Sequence, residues 1–176
     1  NSGTLNRAES AGLRDHVGAL TFSNSGTVNL SDSSYITASA AFTNTGTIKK
    51  TVGSGNASLG APLENTGGTL SAQSGTISLH AGGVIAGTYT AANGAFINSA
   101  SGTFTLGAHT FNGPGTIQFT GGELQLSGAA NLTGLALAGG TVSGTFSTPG
   151  DFNLRGSTLA GTVTPGGAFN WSGGYI

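Results

Sequence analysis

Apolar and small polar residues alternate in short runs along this chain. The segments 27–30, 76–79, 103–106 and 116–119 each begin with Thr and carry apolar residues at their second and fourth positions. A period of two predicts half-buried β-strands, and Thr, Val, Ile and Phe favour strands. Gly-Gly, Asn-Gly and Ser-Gly pairs lie between the runs, and they predict turns because glycine adopts positive φ without steric cost.

A short motif recurs at an interval near 20 residues. Phe22-Ser-Asn-Ser-Gly-Thr-Val28 returns as Phe42-Thr-Asn-Thr-Gly-Thr-Ile48, and again from Leu63 with one inserted glycine. Such a period indicates a solenoid or a repeat array. The predicted structural repeat positions are Phe22, Asn24, Gly26, Thr27, Phe42, Asn44, Gly46, Thr47, Leu63, Asn65, Gly68 and Thr69. A series of corner glycines is predicted at Gly26, Gly46, Gly68, Gly87, Gly107, Gly122, Gly140 and Gly161.

Short strands, frequent turns and a 20-residue unit together predict an all-β fold. We expect a right-handed parallel β-helix, or β-solenoid, over residues 20–176, with about 20 residues per coil and about nine coils. At a strand spacing of about 4.8 Å the rod would be roughly 40 Å long. An antiparallel sandwich is the competing architecture, but it predicts no recurring 20-residue motif. Residues 1–19 hold four of the eleven charged residues and are predicted to form an N-terminal segment or cap-like excursion.

The recurring asparagine allows two interpretations. Its side-chain amide could bond the equivalent amide of the next coil and form an asparagine ladder. Alternatively, the residue could be present because asparagine tolerates a left-handed turn.

Composition excludes several classes of function. The chain has 176 residues with 33 Gly, no Cys, 6% charged residues and a net charge of −1. It therefore lacks the basic surface that nucleic-acid binding needs, and it can form no disulfide or thiol site. The chain contains no run of 18 apolar residues, so the sequence predicts no membrane-spanning segment. Scarce charge also suits stacked coils, because like charges repel when they lie directly opposite each other.

The repeat motif resembles a known class of sequences. The Phe-x-Asn-x-Gly-Thr units, the Gly-Thr-led strands and the segment Phe169-Asn-Trp-Ser-Gly-Gly174 are similar to degenerate repeats of large secreted bacterial surface proteins. These are filamentous-haemagglutinin-type adhesins and autotransporter passengers. The resemblance covers most of residues 20–176. It implies a right-handed β-helix stalk at the cell surface, used in adhesion or in building a matrix or sheath.

Few residues suggest chemistry. Asp151, Asn153 and Arg155 alternate and would share one face of a strand, an arrangement more typical of a surface pair than of a catalytic site. Glu64 and Glu123 would lie about three coils apart, too far for a carboxylate pair. The three histidines, His16, His80 and His109, do not share the repeat phase and show no metal-ligand spacing. The sequence predicts no enzyme, no metal and no cofactor.

The function predicted from these features is structural: an extracellular stalk, sheath or filament module. Because solenoids need capped ends and no C-terminal cap is evident, we expect self-association end to end, or stacking on neighbouring repeats of a longer chain. A surface glycan or a cell receptor is a further predicted partner.

Two alternatives remain open. Threonines stacked at equivalent positions of successive coils, here called a rank, could bind ice. Thr-x-Thr pairs such as 103/105 and 162/164 are too few, however, to form two unbroken ranks side by side. A glycan-binding or glycan-active β-helix would use exposed aromatic residues. Its candidates are Trp171 and Tyr175, followed by Tyr35 and Tyr89. The alternation of Trp171 with Phe169 favours a core position for the tryptophan.

Overall fold

The structure is a computed structural model that describes residues 1–6, 12–14 and 21–176, and these residues form strands and turns without a helix. Their 21 strands are, in chain order, β1 (Thr4–Asn6), β2 (Gly12–Arg14), β3 (Phe22–Asn24), β4 (Thr27–Leu30), β5 (Tyr35–Thr37), β6 (Phe42–Asn44), β7 (Thr47–Lys50), β8 (Asn56–Leu59), β9 (Leu63–Glu64), β10 (Thr69–Ala72), β11 (Thr76–Leu79), β12 (Gly83–Ala91), β13 (Phe96–Ser99), β14 (Thr103–Asn112), β15 (Thr116–Phe119), β16 (Glu123–Ala129), β17 (Leu135–Leu137), β18 (Thr141–Thr148), β19 (Phe152–Leu154), β20 (Thr158–Pro165) and β21 (Phe169–Trp171).

The strands stack in two long parallel sheets. One sheet follows β1-β4-β7-β10-β12-β14-β16-β18-β20 and the other follows β2-β5-β8-β11-β13-β15-β17-β19-β21. Strands β3, β6 and β9 form a short parallel stack of their own, which joins the first sheet where β9 pairs with β12. Nine stacked strands in each path correspond to eight turns between the first rung and the last. The predicted parallel β-solenoid of about 20 residues per coil is confirmed, and the antiparallel sandwich is wrong.

Side chains form axial columns inside the rod. Val28 and Ile48 point inward, while the paired Thr27 and Thr47 beside them lie on the outer surface. Parallel pairing in register repeats this arrangement on successive rungs, so each inward residue packs on its counterpart above and below. One such core column contains Leu5, Val28, Ile48, Leu70, Tyr89 and Phe111.

The first four predicted corner glycines form one column because each directly precedes a paired threonine. A Cβ atom on Gly46 would lie 2.2 Å from the carbonyl oxygen of Gly26, so only glycine permits this approach of two backbones. The later members of the predicted series leave this column. Gly122 lies on Gly102 and Gly161 lies on Gly144, while Gly107 lies beside Ala86.

The coils change character along the rod. Thr27 pairs with Thr47, a coil of 20 residues, whereas Thr141 pairs with Thr158, a coil of 17. From β12 onward, the first two strands of each coil merge into one long strand.

The N-terminal coil begins earlier than predicted. Strands β1 and β2 pair with β4 and β5, so part of the segment 1–19 belongs to the solenoid. The rest of the predicted N-terminal excursion lies outside the described residues.

Candidate functional site

A buried asparagine ladder runs along one corner of the early coils. The side chain of Asn24 donates from Nδ2 to Oδ1 of Asn44 at 2.7 Å, and Asn44 donates in the same way to Asn65 at 2.6 Å. Asn1 adds a further rung by donating to Asn24 at 2.9 Å. The three inner asparagines are at most 1% exposed, and none has a positive φ. The ladder interpretation is therefore confirmed, and the left-handed-turn interpretation is wrong.

The ladder ends where the column becomes aliphatic. Glu64 pairs with Val84, so the next residue of each strand, Asn65 and Ile85, occupies the same column. With no amide above it, Asn65 donates instead to the carbonyl oxygen of Ala86 at 2.8 Å. Ile85 pairs with Leu106, so the column continues as apolar core. Every described ladder amide thus keeps a partner, which buried polar groups require.

A buried lysine forms a second polar site that the sequence analysis did not predict. Lys50 occupies an inward position between Leu30 and Ala72, and its side chain is fully buried. Its ammonium lies 2.5 Å from a carboxylate oxygen of Asp32 and donates to the carbonyl oxygens of Val52 and Gly53 at 2.5 and 2.9 Å. These contacts attach the loop after β7 to the core. The available sequence signal was a lysine at the inward phase of the alternation.

The Lys50 contact gives a pH-dependent prediction. The hydrogen bond from Lys50 and the backbone N–H of Gly55 hold the pKa of Asp32 below its ordinary value. A depressed folded-state pKa adds stability above the pKa of the unfolded chain, and this stability is lost as pH falls through the folded pKa. We expect the urea midpoint to fall across this acidic window, and Asp32→Asn to remove that part of the pH dependence. Asp151→Asn, in the penultimate coil, should keep it, and an unchanged profile in Asp32→Asn would contradict the assignment.

Tyr89 gives a second prediction. Its side chain is 1% exposed, and its hydroxyl is close to Asn65 without forming a hydrogen bond. Burial raises the pKa of Tyr89 above its ordinary value. Because an unpaired buried hydroxyl is destabilising, we expect Tyr89→Phe to raise the free energy of unfolding by about 1 kcal/mol. Urea unfolding measures this, with the exposed Tyr175→Phe as the matched control. Equal effects of the two variants, or a loss of stability in Tyr89→Phe, would contradict an unpaired Tyr89 hydroxyl.

The predicted glycan-contact residues lie at the last rung. Trp171 pairs with Leu154 and continues a core column, yet it is 57% exposed because no further described rung covers it. Tyr175 forms a parallel bridge with Thr158 on the outer face and is also exposed. Of the two remaining aromatic candidates, Tyr89 is buried in the core and is not accessible to a glycan, whereas Tyr35 is half-buried in β5.

The predicted titratable residues do not converge. Asp151 and Arg155 share an outer face as expected, but Asp151 accepts the backbone N–H of Ala168 at 2.8 Å instead of pairing with the arginine. Glu64 and Glu123 occupy different columns, and Glu123 accepts a hydrogen bond from Ser143 at 2.6 Å.

The histidines are also apart. His80 follows β11, His109 lies within β14, and His16 lies outside the described residues. No group of three or more His, Cys, Asp or Glu side chains suited to a metal ion occurs in the described part of the chain.

The fold and its polar columns define the class of this protein: a parallel β-solenoid whose early coils are joined by a buried asparagine ladder. No family model, curated protein or solved structure matches the chain. Within residues 1–6, 12–14 and 21–176, no helix is long and apolar enough to span a membrane.

Proposed function

We propose that the protein is a non-enzymatic structural module of an extracellular bacterial surface protein, acting as a stalk, sheath or filament building block. The asparagine ladder is the observation that carries this proposal. Hydrogen bonds of 2.6–2.9 Å between asparagine side-chain amides join four successive rungs along the axis, in addition to the backbone pairing between strands. Fully satisfied buried polar networks rigidify a structure. Such a rod suits a role in which length and resistance to unfolding matter.

The last rung supports end-to-end association with a second copy. Phe169, Trp171 and Ile176 are exposed there, although Phe169 and Trp171 continue core columns. Among the described residues, strand β21 pairs only with β19, so its other backbone edge is a template for pairing with another chain. A second copy stacked on this rung would cover both features.

Electron microscopy and light scattering test this association. We expect rods that stack into longer particles as concentration rises, and Trp171→Lys should leave single rods. The matched control is Val52→Lys, since Val52 is comparably exposed at 58% but lies in the loop after β7. Single rods of the unaltered protein at every concentration would contradict stacking.

The extracellular and adhesive part of the proposal is supported by the resemblance of the Gly-Thr-led repeats to secreted adhesins. An antibody raised against the purified module should label intact producing cells. Labelling only after lysis would contradict a surface location, whatever the result of the stacking test.

Ice binding is a second candidate function, favoured by one specific observation. Six successive rungs of the first sheet carry threonine in a single outer rank, Thr4, Thr27, Thr47, Thr69, Thr88 and Thr110. The adjacent outer rank, two residues further along each strand, is mixed and includes Asn29, Lys49 and Ser71. Thermal hysteresis tests this candidate: Thr69→Tyr should abolish it, and its absence from the unaltered protein would exclude ice binding.

A further inference from the structure

The first sheet splits between β14 and β16. Opposite β12, strand β14 contains one extra residue, so the register shifts between Ile85 and Gly87. Such a bulge bends the strand that carries it. Strand β14 then pairs with β16 only over Thr103–Thr105. Beyond this point, segment 106–112 pairs only with β12, and segment 126–129 pairs only with β18.

The split leaves a cleft of about 730 Å³ that is open to solvent on the outer surface. Pairing of Thr105 with Gln125 closes one end. At the other end the rungs meet again, since a Cβ on Gly134 would lie 2.9 Å from the Cβ of Phe111. The side chain of His109 reaches across: Nδ1 lies 2.7 Å from the Gly107 carbonyl oxygen and Nε2 lies 2.9 Å from that of Asn131.

The lining of the cleft is polar but almost uncharged. Apart from His109 it contains no ionisable side chain. Hydroxyl and amide side chains from both strands face it, together with small apolar residues and the unpaired backbone edges. The polar lining residues are Thr105, Gln125, Ser127 and Asn131. Backbone edges and amides offer donors and acceptors side by side, which a ligand must match to bind.

We propose that this cleft binds a neutral saccharide, as a terminal sugar or a short oligosaccharide. Each sugar hydroxyl both donates and accepts, so it can satisfy N–H and C=O groups that alternate along a strand edge. The volume lies within the range of small-ligand pockets, and the near absence of charge disfavours an ionic ligand. Because both ends are closed, a compact ligand fits better than an extended peptide, which would need to run out along the strands.

The biological meaning of this site rests on the proposed adhesive role, but its existence does not depend on it. Saturation-transfer NMR and calorimetry with neutral gluco-, manno-, galacto-, xylo- and chito-oligosaccharides test binding directly. We expect at least one to bind with a dissociation constant on the order of 1 mM or below. Ala108→Phe places a ring in the cleft and should weaken binding by about tenfold or more. Thr162→Phe, which adds the same ring on the exposed surface of β20, should leave binding unchanged.

If Ala108→Phe fails to fold, Gln125→Ala and Ser127→Ala remove exposed hydrogen-bonding groups of the cleft without adding bulk. Each should weaken binding. Failure of every saccharide to bind would overturn the proposal, as would binding unaffected by the cleft variants. Binding of an uncharged Ser/Ala hexapeptide instead of the sugars would also overturn it. None of these outcomes affects the rod proposal, which the stacking test with Trp171→Lys decides separately.

Discussion

Replacing Asn44 with leucine is expected to lower the free energy of unfolding by about 2–6 kcal/mol. Asn44 is fully buried, and its side chain accepts from Asn24 and donates to Asn65. The leucine would leave a donor of Asn24 and an acceptor of Asn65 without those bonds, and each buried unsatisfied group costs about 1–3 kcal/mol. Urea unfolding followed by circular dichroism measures the loss.

The control for this variant is Asn170→Leu. Asn170 donates to Asn153 at 3.1 Å, but this amide pair lies on the exposed outer face. Water can replace the lost bond there, so we expect a change within about 0.5 kcal/mol. Equal losses at Asn44 and Asn170 would mean that the buried ladder adds nothing beyond a surface hydrogen bond.

Gly46→Ala is expected to be comparably damaging for a steric reason. Its new Cβ would lie 2.2 Å from the Gly26 carbonyl oxygen and 2.6 Å from the carbonyl carbon of Ser25. Both are backbone atoms, so relief requires moving one coil away from the next and weakening their pairing. We expect a loss of about 3 kcal/mol in the free energy of unfolding, at the upper end of usual overpacking costs.

Gly150→Ala is the matched control for the glycine column. A Cβ at Gly150 would meet no atom within 4 Å, and its φ is not in the left-handed region. Alanine there should be neutral or stabilise by up to about 1 kcal/mol, because it restricts the unfolded chain. A stable Gly46→Ala variant, with the unaltered melting temperature, would show that neighbouring coils can separate at little cost.

The early coils were predictable because their motif is nearly complete in each copy. Phe22 pairs with Phe42 and Asn24 with Asn44, as the 20-residue shift requires. The alternation of Trp171 with Phe169 also predicted its core column correctly, and Trp171 is exposed because no further described rung covers it.

Other features could not be predicted because they depend on contacts between coils. The ion pair joins Lys50, the last residue of β7, to Asp32 in the loop after β4, 18 positions earlier and off the repeat interval. The cleft opens where β14 carries one extra residue opposite β12 and where the coil of β16 is two residues shorter than that of β14, changes that leave no distinct pattern in the sequence. The threonine rank extends to Thr88 and Thr110, where the surrounding motif has already changed.

The ladder also makes the early part of the rod extensible by duplication. The unit from Asn24 to Asn44 begins and ends on the same kind of amide contact, in the same column and with the same preceding phenylalanine. A tandem copy of these 20 residues would therefore insert one more coil, lengthening the rod by about 4.8 Å without disturbing either terminus. Gain or loss of such copies would let related chains form rods of different length whose first and last coils are the same.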